Sequence, residues 1–82
     1  MTSFELAKDL LRVNLQLGER VEGFNADTPL MGGLPEFDSM AVINVIGAIE
    51  EQLGCSIEDE EITAEVFETV GSLAAFIDAK RA

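Results

Sequence analysis

Asp38-Ser39-Met40-Ala41-Val42-Ile43-Asn44-Val45-Ile46-Gly47-Ala48-Ile49-Glu50-Glu51-Gln52-Leu53-Gly54 is the stretch that decides the fold. Asp38 is an N-cap residue, able to accept a free N–H of the first turn. Gly54 ends the run, because glycine takes the left-handed turn at no steric cost. Between them the spacing predicts a helix over 39–53. At about 100° per residue, Val42, Val45, Ile46, Ile49 and Leu53 share one arc, the expected core face. Met40, Ile43, Asn44, Gly47, Glu50 and Glu51 fall on the other side, where apolar groups mix with acids.

Upstream, Thr2 and Glu5 fit a capping box. A first helix is expected from Ser3, with Leu6, Leu10, Val13 and Leu17 as its stripe, Ala7 and Leu11 widening it, and Gly18 as its stop. Residues 19–37 hold Pro29, Gly32, Gly33 and Pro35 and keep no period. A connection that long in a small domain is usually functional or disordered. Val21, Phe24, Leu30, Met31, Leu34 and Phe37 read as anchors pinning it to a core.

Downstream, 56–62 reads as a connection with an acidic turn at 58–61, and Ile57 and Ile62 pointing inward. Thr63 is the expected cap of a short third helix over 64–68, with Val66 and Phe67 packed. Thr69 caps a last helix over 70–80, with Val70, Leu73, Ala74, Phe76 and Ile77 as its apolar side. Lys80 and Arg81 stand at its end, where the helix dipole favours cations. The expected class is all-α, with three longer helices, one short third helix and a long loop between helices one and two, in a single domain over 1–82.

The 82 residues carry a net charge of -11, with no Lys or Arg between Val21 and Ala79. That one-signed field opposes nucleic acid and anionic membrane surfaces and favours a basic protein partner. No run approaches the ~20 apolar residues of a membrane span. One cysteine cannot form an internal disulfide, and the N-terminus is not a signal peptide, so the expected compartment is the cytoplasm.

The residues exclude most enzyme chemistry. With no His there is no Ser-His or Cys-His pair and no imidazole metal site. Gly32-Gly33 is not followed by the Gly-Lys of a phosphate loop, and Glu58-Asp59-Glu60-Glu61 lacks the spacing of a calcium loop. Cys55 follows a helix end among acids, without a cation to activate it, and reads as structural. Ser39 stands apart. Asp38 can do the capping, which leaves the Ser39 hydroxyl free to point outward. A phosphate ester placed there would sit in the positive field of the helix N-terminus.

Phe37-Asp38-Ser39-Met40, followed by the helix ending in Glu50-Glu51-Gln52-Leu53, resembles the acyl and peptidyl carrier proteins. Ile62-Thr63-Ala64-Glu65-Val66-Phe67 and Thr69-Val70-Gly71-Ser72-Leu73 also look like the family's third helix and fourth-helix start. The resemblance implies a four-helix carrier bundle that catalyses nothing. It implies 4'-phosphopantetheine on Ser39, placed there from coenzyme A by a phosphopantetheinyl transferase. The arm's thiol would hold acyl groups as thioesters. By the same resemblance Asp38, Met40, Ile43, Gly47, Glu50 and Glu51 form a docking face. Its partners are the transferase, an acyl- or aminoacyl-loading ligase and acyl-processing enzymes with basic docking surfaces, which the carrier meets as a monomer. Ala41 and Asn44 stand at positions often acidic in carriers of fatty-acid synthesis, and the loop over 32–37 is longer than theirs. Both fit a specialised pathway with an adenylate-forming ligase. Asp-Ser-Met also occurs in D-alanyl carriers, so aminoacyl and peptidyl cargo stay open. The alternative from another class is an unmodified acidic helical adaptor.

Overall fold

A computed structural model describes residues 2–81. Three long helices run through it: α1 (Ser3–Leu15), α2 (Ser39–Leu53) and α3 (Val70–Arg81). Among the described residues there is no strand, only an antiparallel bridge between Pro29 and Thr69. The architecture is the expected all-α bundle.

Each helix begins at the cap read from the sequence. Thr2 and Glu5 exchange their hydrogen bonds at 3.1 Å each. Those bonds hold the Glu5 carboxyl below its ordinary pKa, the Thr2 N–H most of all. Asp38 accepts the Ala41 N–H at 2.9 Å. Thr69 and Ser72 bond reciprocally, and Ser72 Oγ also donates to the Val66 carbonyl at 2.8 Å. Gly54 closes α2 at φ 66°.

Two boundaries differ from expectation. The first helix stops at Leu15, where Gln16 takes φ 55°, rather than running to Gly18. The Gln16 and Leu17 N–H groups both return to the Arg12 carbonyl. That turn folds Leu17 under the core and starts a 3-10 segment, Gly18–Gly23, which buries Val21. The third helix is shorter than an α-helix over 64–68. It is a pair of tight turns, with Val66 N–H donating to Thr63 and Glu68 N–H to Glu65. Bonds from Leu30 N–H to the Glu68 carbonyl and Met31 N–H to the Phe67 carbonyl hold it instead, so its backbone is committed to the long loop.

The core lies where the three helices meet. Leu6, Ala7, Leu10 and Leu11 of α1 are buried, but Val13 is 57% exposed. α1 faces both α2 and α3, so its buried arc centres on Ala7 and Leu10 and leaves Val13 outside. On α2 the buried residues are Ala41, Val45, Ile46 and Ile49, while Val42 and Leu53, expected in the core, are half-buried. Phe37, Leu30 and Val21 anchor the long loop, and Phe24 and Leu34 pack against the core. Met31 does not anchor it, being 47% exposed.

The loop reaches α3 closely. Thr28 and Ala26 carbonyls accept the Val70 and Gly71 N–H groups, each at 2.9 Å, completing the N-terminal turn of α3. A Cβ on Gly71 would stand 2.7 Å from the Ala26 carbonyl oxygen. That oxygen is backbone and already hydrogen-bonded, so it cannot yield cheaply. Gly71→Val is therefore expected to cost about 1–3 kcal/mol, the usual range for overpacking. Urea unfolding checks this, and a variant as stable as wild type would show that the approach is looser.

Candidate functional site

Ser39 opens α2 and is exposed. Because the Asp38 carboxylate takes the Ala41 N–H, the Ser39 hydroxyl is not needed as the cap. Among the described residues it makes no hydrogen bond. It stands at the positive end of a 15-residue helix whose first turn carries no acid. A phosphodiester there would gain from that field. Two contacts fix where the hydroxyl sits. The Phe37 ring, two residues earlier, packs on Phe67 with centroids 5.6 Å apart. Farther back, an Arg20–Glu36 ion pair ties the loop's last turn to the 3-10 segment. It raises the Arg20 pKa and lowers that of Glu36.

Beside Ser39 lies a groove of about 390 Å³. Val42 and Ile43 of α2 line it together with Met31 and Phe67, which share a backbone hydrogen bond, and with Ile62, Thr63 and Ala64. Apart from the Ser39 and Thr63 hydroxyls, every lining side chain is apolar. This is why Val42 is only half-buried: it points to the core side of α2 where the packing is left open.

The expected docking residues divide. Met40 and Ile43 are 64% and 62% exposed, and Gly47 and Glu51 are exposed beside them. Glu50 is half-buried and accepts the Ile57 N–H at 2.8 Å. Sequence reasoning missed that bond, since nothing in the spacing marks an acid that reaches seven residues forward. Ala41 is buried and belongs to the core rather than to this face. Cys55 is half-buried, and no group of metal-ligating side chains gathers among the described residues.

The turn that walls the groove is tied down by an ion pair between Glu61 and Lys80 of α3. Lys80 first, and then the Glu58 N–H, hold the Glu61 carboxyl below its ordinary pKa of 4.5. A lowered carboxyl stabilises the fold above its unfolded pKa and loses that contribution as pH falls through the folded one. The stability difference between wild type and Glu61→Gln is thus expected in full above about pH 4.5 and absent in stronger acid. Thermal unfolding of both across this window checks it, and a difference that grows on acidification would contradict it.

A model of the phosphopantetheine attachment site family matches residues 8–77. This chain belongs to the acyl carrier protein family. The solution NMR structure of a holo acyl carrier protein from Nitrosomonas europaea is 48% identical to the carrier. The match covers 98% of this chain and 96% of that one, with a TM-score of 0.88. No curated protein matches the chain. As a family member the chain is a carrier for covalent 4'-phosphopantetheine and not an enzyme. Carriers of this kind work with a phosphopantetheinyl transferase and acyl-processing enzymes. Among the described residues no helix is long and apolar enough to cross a membrane.

Proposed function

We propose that Ser39 is the attachment point of the 4'-phosphopantetheine arm, and that the arm carries apolar acyl groups as thioesters. The observation that carries this is an exposed hydroxyl, spared from capping by Asp38, at the mouth of an uncharged groove. The groove's chemistry favours acyl over aminoacyl cargo. An apolar chain gains by leaving water, whereas an α-ammonium would find no carboxylate along the lining to replace its hydration. The free cysteine supports a cytoplasmic setting, the stretch without cations from Val21 to Ala79 supports a monomer that meets basic enzymes, and the long loop supports a dedicated pathway with its own ligase. The intact mass of the chain from its host tests the cargo: an arm bearing an acyl group is expected, and an amino acid on it would overturn that reading.

Met40, Ile43, Gly47 and the carboxylates of Glu50 and Glu51 form the proposed docking face, with Asp38 at its edge. Of the two acids, Glu51 has no structural bond among the described residues, so it isolates the electrostatic role. Glu51→Lys is expected to slow transferase encounter severalfold at low salt, because exposed charges act mainly on association rate. The fold should be unaffected, and added salt should shrink the difference. Equal low-salt rates for the two proteins would remove Glu51 from the face.

A further inference from the structure

The loop over 32–37 leads directly into Ser39, and a cation from outside the loop grips it. Between the buried side chains of Leu30 and Phe37, the residues Met31, Gly32, Gly33 and Pro35 are exposed, and Leu34 packs only partly buried against the core. The Arg20 guanidinium reaches this stretch and donates to the Glu36 carboxylate from both terminal nitrogens, Nη2 to Oε1 at 3.2 Å. A two-point grip of this kind fixes direction as well as distance. Arg20 stands on a firm base: its N–H donates to the Leu17 carbonyl at 3.2 Å, and the next residue, Val21, is buried. From Glu36 the path runs on through the backbone. The Asp38 N–H donates to the Glu36 carbonyl at 3.2 Å, and the Asp38 carboxylate accepts the Ala41 N–H at the start of α2. Glu36 is thus held by its side chain and holds the residue before Ser39 by its carbonyl.

Charge alone gives Arg20 the opposite role. In a chain of net charge -11 that meets a basic enzyme, removing a cation should help the encounter and removing an acid should hinder it. We propose that Arg20 is a positioning residue for the loading of the arm: its grip on Glu36 keeps residues 36–38 in the arrangement a transferase recognises, so that losing either partner weakens recognition alike. The inference rests on the reading of Ser39 as the arm's attachment point. Without the grip the segment spends part of its time in other arrangements, and apparent affinity falls by the fraction that stays competent. Once bound, the segment is the same as in wild type, so the loss falls on KM and not on kcat. Losing an exposed ion pair moves such an equilibrium about two- to fivefold.

The test measures transfer of phosphopantetheine from coenzyme A by a broad-specificity transferase onto the full apo chain. It compares wild type, Arg20→Gln, Glu36→Gln and the double variant, which has the net charge of wild type. KM is expected to rise about two- to fivefold in both single variants and to stay raised by the same amount in the double one, with kcat unchanged. Amide hydrogen exchange at Phe37, whose N–H donates to the Leu34 carbonyl at 3.0 Å, should quicken by a similar factor in all three. Exchange at Leu10, in the core of α1, should not change, which separates a local loosening from global unfolding. A KM that falls in Arg20→Gln, rises in Glu36→Gln and returns to the wild-type value in the double variant would overturn the proposal and leave only surface charge. Wild-type KM and Phe37 exchange in all three variants would overturn it as well. A wild-type chain that gains no mass would instead overturn the reading of Ser39, and exchange at Phe37 would still decide whether the pair holds the segment.

Discussion

Phe67→Ala is expected to cost about 3–5 kcal/mol, the range for deleting a buried phenyl ring. A small domain stands near the low end of the usual 5–15 kcal/mol, so the variant should be largely unfolded at growth temperature. The ring is only 2% exposed and stacks against Phe37, while the Phe67 carbonyl accepts the Met31 N–H. Removing it takes away part of the groove's lining and the anchor of the residue two positions before Ser39. Phe67→Leu should lose clearly less, because most of the volume remains. Urea unfolding of the three proteins checks this order. A loss below about 1 kcal/mol for Phe67→Ala would mean the core closes over the gap without help from the ring.

Much of this was legible because it is local. The caps Thr2, Asp38 and Thr69 and the stop at Gly54 depend on a few consecutive residues, and the bounds of α2 follow from them. The serine proposed to bear the arm stands out for the same reason: a second good capping residue beside Asp38 leaves one hydroxyl spare. Of the long loop's expected anchors, Val21, Leu30 and Phe37 are buried and Phe24 and Leu34 are half-buried against the core, while Met31 lies on the groove.

What the sequence hid was decided by partners distant along the chain. Thr63 and Val66 have the spacing of a short helix, but the Phe67 and Glu68 carbonyls are taken by the loop at Leu30 and Met31. Val13 keeps helical period with Leu6 and Leu10, yet α1 turns its Ala7 and Leu11 side inward to meet two helices. Gln16 takes a left-handed turn that glycine two residues later advertises better, because Leu17 gains burial by it. Spacing alone marks Glu50 as a surface acid, and only the return of the chain at Ile57 gives its carboxylate a structural bond.

Ser39→Ala is expected to abolish carrier function completely while leaving the fold alone. The side chain is exposed and the cap belongs to Asp38, so stability should move by no more than about 0.5 kcal/mol. Alanine is also the best helix former, which offsets the loss of a solvated hydroxyl. No neighbouring residue can take over the ester. Thr63, the other hydroxyl of the groove, precedes a pair of tight turns and not a long helix.

The most direct measurement is the intact mass of the purified protein after incubation with coenzyme A, magnesium and a broad-specificity transferase. The wild-type chain should gain a single phosphopantetheine, and Ser39→Ala should gain none. A wild-type protein whose mass does not change, or a variant that gains the same mass, would contradict the assignment of the arm to this serine.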